Sequence, residues 1–235
     1  MTDFRICFSK TGPLVYISHL DLTHTFIRAA NRARLPLRYS SGFNPHPKLT
    51  FALPLSVGMA GENELCDMGL AADIPIEEFS ARLRAELPPF LMIKSVKEPI
   101  GKLRNVTAAD YTVVIRGIFG IGGKIEEILS RPEISVLKKT KSGEKVVNIK
   151  PQIFAFSSEE FTENAEDEKD SIKAADGSEK EECGGTKLFL KVDASPDGGY
   201  LNPDYVLKAL AEQGLFELRD CAVIRTSITL SENGL

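Results

Sequence analysis

Apolar positions along the first hundred residues alternate between strand-like and helix-like spacing. Four segments have the β-branched and aromatic content of strands, residues 4–10, 37–53, 62–71 and 90–99. Between these segments, apolar residues recur with helical spacing from His19 to Arg34 and again over residues 74–87. Ser18 precedes the first helix as a candidate N-cap, and Pro36 ends it. The resulting order, β-α-β-β-α-β, is the ferredoxin-like arrangement.

The second half of the chain repeats this order without visible sequence identity. Strands are predicted at residues 111–118, in a hairpin over 135–154, and at 186–195 and 216–230. Helices are predicted at 123–132 and at 202–214, where Asn202 is a candidate N-cap. We therefore expect an α+β protein made of two tandem ferredoxin-like units, residues 1–105 and 106–235.

One acidic stretch dominates the charge of the second unit. Residues 156–182 contain 3 Lys or Arg against 11 Asp or Glu, whereas the whole chain has a net charge of only −4. Because this stretch has few apolar residues, it buries too little surface to offset the entropy of ordering it. We expect a disordered acidic insert at about residues 157–183. The first 58 residues are basic, with 7 Lys or Arg against 2 Asp.

Composition places the chain among ordinary globular proteins. It is 43% hydrophobic and 26% charged, with no apolar run long enough to cross a membrane and no signal-like amino end. The cysteines, Cys7, Cys66, Cys183 and Cys221, are too far apart for a zinc or iron–sulfur motif. We expect a cytoplasmic protein without a metal or another cofactor.

Histidine and arginine residues concentrate near the first predicted helix. All three histidines, His19, His24 and His46, fall within 28 positions. Arg28 and Arg32 lie one helical turn apart, opposite the apolar residues, and His24 lies one turn before Arg28. Like charges at this spacing repel each other, so the face is either a solvated surface or a site where an anion such as phosphate bridges them.

The second cluster is the segment RYSSGFNPHPK at residues 38–48. Gly42 and two prolines break the strand pattern and favour a rigid exposed loop. Arg38 and Lys48 suit phosphate, the aromatic rings suit a base, and the hydroxyl, amide and imidazole groups suit hydrogen bonding. Together with the helix, the candidate RNA- or anion-binding residues are Arg28, Arg32, Arg38, Tyr39, Ser41, Phe43, Asn44, His46 and Lys48.

Two motifs, SHLD at residues 18–21 and SGFNPHPK at 41–48, together with GEKVVNIKPQI and NPDYVLKAL, resemble the radical-SAM-linked family of bacteria. The resemblance covers most of residues 3–230, apart from the acidic insert. Members of that family, a domain of unknown function, occur beside or fused to a cobalamin-binding-type radical S-adenosylmethionine (radical SAM) protein. The resemblance therefore implies a partner and a genomic context rather than a reaction. The chain lacks the CxxxCxxC motif of the radical enzyme itself.

Functions from different classes remain open at this point. In the first, the chain is an RNA-binding accessory module in tRNA or rRNA modification or maturation, and the radical SAM partner performs the chemistry. In the second, the chain is a metal-independent endoribonuclease in which His24 or His46 takes the proton of a ribose 2′-hydroxyl. Another histidine would protonate the leaving oxygen, and Lys48 or Arg28 would stabilise the phosphorane. A protein-only adaptor and a small-ligand site are further alternatives, and neither DNA nor a membrane is expected as a partner.

Overall fold

The computed structural model describes residues 2–140, 143–163, 183–196 and 199–231. This part of the chain contains ten strands and four α-helices, so the expected mixture of sheet and helices is confirmed. No helix within these ranges is long and apolar enough to cross a membrane. The chain divides into two units and passes between them four times; three of these crossings fall inside strands.

The first unit comprises residues 1–111 together with two later segments, 193–200 and 223–235. Its elements are β1 (Asp3–Lys10), α1 (His19–Arg32), β2 (Leu49–Phe51), β3 (Ala60–Gly69), α2 (Ile76–Glu86), β4 (Leu91–Lys97), the first half of β5 (Val106–Arg116) and most of β10 (Cys221–Leu230). The strand order is β4-β1-β3-β10-β5, and β2 also pairs with β3. β1 is antiparallel to β3 and to β4, whereas β10 is parallel to β3.

The elements of the first half follow the predicted order of strands and helices. The second strand is much shorter than predicted, because residues 38–48 form a loop and only Leu49–Phe51 pair with β3. α1 begins where the sequence predicts, since the Ser18 hydroxyl accepts a hydrogen bond from Asp21 N at 3.1 Å.

Apolar side chains of β1 and α1 form much of the core of the first unit. Phe4, Ile6 and Phe8 alternate along β1 and are buried, so one face of this strand is apolar. One face of α1 contributes four buried residues, Leu22, Phe26, Ala29 and Ala30. The rings of Phe8 and Phe26 meet edge to face with their centroids 4.9 Å apart. This contact fixes α1 against β1.

The second unit comprises residues 112–192 and 201–222. It contains the second half of β5, the start of β10, and α3 (Gly122–Leu129), β6 (Ser135–Thr140), β7 (Gly143–Asn148), β8 (Ile153–Glu163), β9 (Cys183–Asp193) and α4 (Pro203–Ala211). The strand order is β5-β9-β8, and β6 pairs with β7 in a separate two-stranded sheet. The predicted hairpin is therefore present, although it forms a sheet of its own. Asn202 caps α4 as predicted, since its side chain accepts from Asp204 N at 3.0 Å.

The observed range of β8 overlaps the region where a disordered acidic insert is expected. Residues 157–163 and Cys183 are predicted to be disordered, but they belong to an antiparallel pair formed by β8 and β9. Glu159 lies opposite Lys187 in the register, and Glu160 accepts a hydrogen bond from Gly120 N at 2.6 Å. The prediction was wrong for these residues because composition does not reveal such partners. Residues 164–182 lie outside the described residues.

A buried ion pair joins β10 to β3 in the first unit. The side chains of Arg225 and Glu64 are 1% and 4% exposed. Arg225 Nε and Nη2 donate to the two carboxylate oxygens of Glu64 at 2.8 and 2.5 Å. Further donors of the guanidinium reach the carbonyl oxygens of Leu53 and Pro54 at 3.1 and 3.2 Å. Because both carboxylate oxygens are satisfied, the pair can remain buried.

We expect the Arg225→Met variant to be less stable by about 3–5 kcal/mol, because it leaves the Glu64 carboxylate buried without its partner. Urea unfolding followed by circular dichroism measures this difference. Arg219→Met is the matched control, since Arg219 pairs with Glu217 at 78% exposure, where an ion pair adds little. The double variant with Glu64→Gln should recover part of the loss. Wild-type stability of Arg225→Met would contradict a structural role for the pair.

Candidate anion-binding cleft

Residues 38–48 form a loop whose two ends are joined by hydrogen bonds. Lys48 N donates to Arg38 O at 2.7 Å, and Ser40 N donates to His46 O at 2.8 Å. The Ser40 hydroxyl accepts from His46 N at 3.1 Å and lies 2.9 Å from His46 Nδ1. These contacts hold the base of the loop much like a short hairpin.

The tip of this loop, residues 41–45, is exposed to solvent. Gly42 has a φ of +130°, a conformation that L-residues rarely adopt, and Pro45 restricts the backbone of Asn44. Phe43 is fully exposed, and Tyr39 in the base of the loop is 49% exposed. The ring of Phe43 therefore adds no buried area to the fold and is available to a ligand.

An open cleft of 580 Å³ lies beside the base of the loop. Four parts of the first unit line it: the start of β1, the base of the loop, β2 with the end of β3, and the segment that follows β4. The polar residues of the lining are Asp3, Arg38, Ser40, His46, Lys48, Thr50, Asp67, Lys102 and Arg104. A cleft of this volume is within the range that small ligands occupy in proteins.

Arg38 is held between β1 and the end of β3. Its guanidinium donates to the Asp3 carboxylate, and its backbone N–H donates to Gly69 O at 2.8 Å. A side chain at Gly69 would displace it, because an added Cβ lies 2.9 Å from Arg38 Nη2 and 3.0 Å from Nε. Gly69 N in turn donates to Lys48 O at 2.9 Å, which ties the loop to β3. Arg38 Nε is buried and has no hydrogen-bond partner among the described residues.

Arg5 positions the segment that follows β4. Its Nε and Nη2 donate to the two carboxylate oxygens of Asp67, each at 2.8 Å. The same guanidinium donates to Ile100 O at 2.8 Å and to Gly101 O at 3.0 Å. These contacts fix the backbone just before Lys102 and so determine where the basic residues of this segment lie. Sequence reasoning missed this part of the site, because no local pattern connects Arg5 to a segment so distant in the chain.

Positive charge predominates in the cleft. Both carboxylates that line it are engaged by arginines. The lining contains three further cations, Lys48, Lys102 and Arg104. None of them forms an ion pair within the described residues. Because no carboxylate among the described residues pairs with these three cations, they give the cleft a positive potential that favours an anionic ligand.

The candidate residues on α1 do not line the cleft. His24 and Arg28 are exposed on the helix. Arg32 donates from Nε to Glu86 Oε2 at 2.8 Å and also to Glu86 O, so α2 already occupies its guanidinium. The structure therefore brings together Arg38, His46 and Lys48. The loop contains four other candidates that are exposed but do not line the cleft, namely Tyr39, Ser41, Phe43 and Asn44.

Comparison with known proteins indicates a family without an assigned activity. No curated protein matches the chain. Residues 4–181, which are more than half of the chain, match a family described as an uncharacterized protein conserved in bacteria (DUF2344). The chain therefore belongs to this bacterial family.

Proposed function

We propose that the chain is an RNA-binding accessory module, in which the cleft binds phosphate and the loop at residues 38–48 presents a stacking surface. The observation that carries this proposal is that two features lie side by side. The cleft is lined by three cations that form no ion pair within the described residues. The base of the loop lines part of the same cleft, and Phe43 at the tip of this loop is fully exposed. Cations bind the phosphates of any nucleic acid, whereas an exposed ring stacks on an unpaired base.

Single-stranded RNA fits these features better than a duplex does. In a duplex the faces of the bases are stacked on one another, so Phe43 and Tyr39 would have no base to contact. The exposed side chains of Ser41 and Asn44 offer a hydroxyl and an amide for hydrogen bonds to a base edge. The backbone of this loop is held at its base, which reduces the entropy lost when a ligand binds.

The geometry favours binding over cleavage. Metal-independent cleavage of RNA requires a general base and a general acid near one phosphate. His46 lines the cleft, but His19 and His24 do not, so the lining contains one histidine. The Nδ1 atom of His46 is also engaged by Ser40 at 2.9 Å. These observations support a role for His46 in holding the loop and in contacting a ligand.

We also infer a ferredoxin-like arrangement for both halves of the chain. In the first half, β4, β1, β3 and β2 are neighbours in that order, and all of their pairs are antiparallel. In the second half, the elements β5-α3-β8-β9-α4-β10 follow the same chain order, with the β6–β7 hairpin inserted after α3. Support for this inference comes from strand order and pairing alone.

The proposed partner is a radical SAM protein of the cobalamin-binding type. This part of the proposal rests on the resemblance of the SHLD and SGFNPHPK motifs to the radical-SAM-linked family. The second motif covers the exposed tip of the loop, residues 41–45, and residues 46–48, whose backbone closes the loop. In this arrangement the chain presents the RNA, and the partner performs the modification.

We expect Lys48→Ala and Lys102→Ala each to flatten the salt dependence of RNA binding. Each lost phosphate contact should reduce the slope of log K against log salt by about 0.7, the value for single strands. Fluorescence anisotropy with a labelled mixed-sequence single-stranded RNA, and in parallel with unfractionated tRNA, measures the slope. Lys94→Ala on β4 is the matched control, because Lys94 is exposed and does not line the cleft. An unchanged slope in both cleft variants would overturn the proposed site.

We expect Phe43→Ala to weaken RNA binding by about 1–3 kcal/mol without changing the salt slope, because stacking involves no counterion release. The same anisotropy assay measures the affinity. Phe154→Ala is the control, since Phe154 on β8 is also exposed, at 52%, and lies in the second unit. Equal losses in the two variants would show that the loop tip is not a stacking surface.

We expect the tagged full chain to retrieve a radical SAM protein from its native cell. Mass spectrometry identifies the retained protein, and a tag-only preparation provides the background. Treatment of the lysate with ribonuclease distinguishes a direct contact from one bridged by RNA. If no radical SAM protein is enriched over the background, the partner assignment is wrong, whereas the RNA-binding measurements stand on their own.

A further inference from the structure

One short turn after β4 supplies two of the three cations of the cleft that form no ion pair within the described residues. Lys102 and Arg104 are exposed, and Leu103 between them is 4% exposed and anchors the turn in the first unit. Asn105 N donates to Lys102 O at 3.0 Å, which closes the turn. Because a single residue separates the two cations, their Cα atoms lie within about 7 Å of each other. One fixed piece of backbone therefore brings two positive charges to the cleft.

The sheet of the first unit fixes the position of this turn. The Arg5 guanidinium binds both the Asp67 carboxylate and the carbonyl oxygens of Ile100 and Gly101, at 2.8 and 3.0 Å. Gly101 has a φ of +66°, a conformation that favours glycine, so the backbone bends just before the two cations. Asp67 also pairs with Thr50 in the register of β2 against β3, and both residues line the cleft.

The base of the loop at residues 38–48 brings the third cation. The backbone of Lys48 is held on both sides, since its N–H donates to Arg38 O at 2.7 Å and its carbonyl accepts from Gly69 N at 2.9 Å. Three cations with fixed backbones thus line one cleft of 580 Å³, a volume that a single small ligand fills. A site prepared in this way loses little entropy when its ligand binds.

The charges that line the cleft do not cancel. Both carboxylates of the lining form ion pairs with arginines, so the three unpaired cations remain as an excess of positive charge. An internal phosphodiester of RNA brings one negative charge to such a site. A phosphomonoester brings about −1.5 to −2 at pH 7 and three acceptor oxygens. The charge excess therefore matches a phosphomonoester more closely than it matches a phosphodiester.

The distribution of the other candidate cations also favours the end of a strand. Proteins that bind a single strand along its length do so in a positively charged groove that follows the backbone. Here Arg28 is exposed on α1 and Arg32 is engaged by Glu86, and neither residue lines the cleft. The candidate cations of α1 therefore do not extend the cleft into such a groove.

We propose that the cleft binds the phosphomonoester at the end of an RNA strand through Lys48, Lys102 and Arg104. The inference rests on the proposed RNA-binding function and specifies which part of the RNA enters the cleft. Two ammonium groups and one guanidinium donate charge-assisted hydrogen bonds to the phosphate oxygens. A monoester has the same chemistry at the 5′ and at the 3′ end, so experiment decides between the two ends.

Fluorescence anisotropy of the full chain compares one short mixed-sequence RNA, labelled at an internal base, in three forms. The first has a 5′-phosphate, the second has a 3′-phosphate, and the third has hydroxyl groups at both ends. We expect a phosphorylated form to bind about tenfold more tightly than the hydroxyl form, the gain from one further charge-assisted hydrogen bond. The form that gains more identifies the end that the cleft binds.

Lys102→Gln and Arg104→Gln test the site, since each removes one charge from an exposed side chain. We expect each variant to reduce the preference for the phosphorylated RNA by about threefold, and the double variant to abolish it. Lys94→Ala is the matched control and should keep the full preference, because Lys94 is exposed on β4 and does not line the cleft. Circular dichroism checks that all of the variants fold.

The outcomes separate this proposal from the proposed function. If the three RNA forms bind with equal affinity, the chain binds RNA without recognising its end, so this proposal is overturned and the proposed function stands. If none of the forms binds, both are overturned. The proposal is also overturned if the double variant keeps the preference, or if Lys94→Ala loses it.

Discussion

The buried contact between Arg225 and Glu64 is the interaction on which the arrangement of the first unit depends. Arg225 pairs with Gly61 in the register of β10 against β3, and Glu64 pairs with Phe8 in the register of β3 against β1. One guanidinium therefore links β10, β3 and the segment that precedes β3, since it also binds Leu53 O and Pro54 O. Gly61 leaves the space that Glu64 fills, because an added Cβ would lie 2.6 Å from its carboxylate. Any shift of β3 would also move the cleft, because Asp67 and Gly69 at the end of this strand line it.

The cations at the cleft have two different tasks. Arg5 and Arg38 use their planar guanidinium groups to hold acids and backbone carbonyls, so they act as part of the scaffold. Lys48, Lys102 and Arg104 have no such partners among the described residues and present their charges to the cleft. This division explains how a cleft lined by two acidic side chains retains a positive charge that no other carboxylate of the described residues offsets. The acids are occupied in orienting arginines.

The sequence predicted those features whose causes are local. The helical spacing and the cap at Ser18 located the start of α1, and the glycine and prolines of residues 38–48 located the loop. It did not predict the acidic part of β8, residues 157–163, because the pairing of that segment depends on β9, which begins only at residue 183. Nor did it single out Arg225 and Glu64, which are 161 residues apart and meet only in the folded sheet. Contacts of this kind leave no periodic or compositional signal near either residue.

The return of the chain to the first unit has a consequence for synthesis on the ribosome. β10 enters that unit only after the whole second unit has been made, yet it provides the partner of Glu64. Until residue 225 emerges, the nascent first unit holds the Glu64 carboxylate without its counter-ion, and the start of β3, at Ala60 and Gly61, lacks the strand that pairs with it. The first unit therefore cannot complete its sheet or its buried ion pair before the second unit has been synthesised.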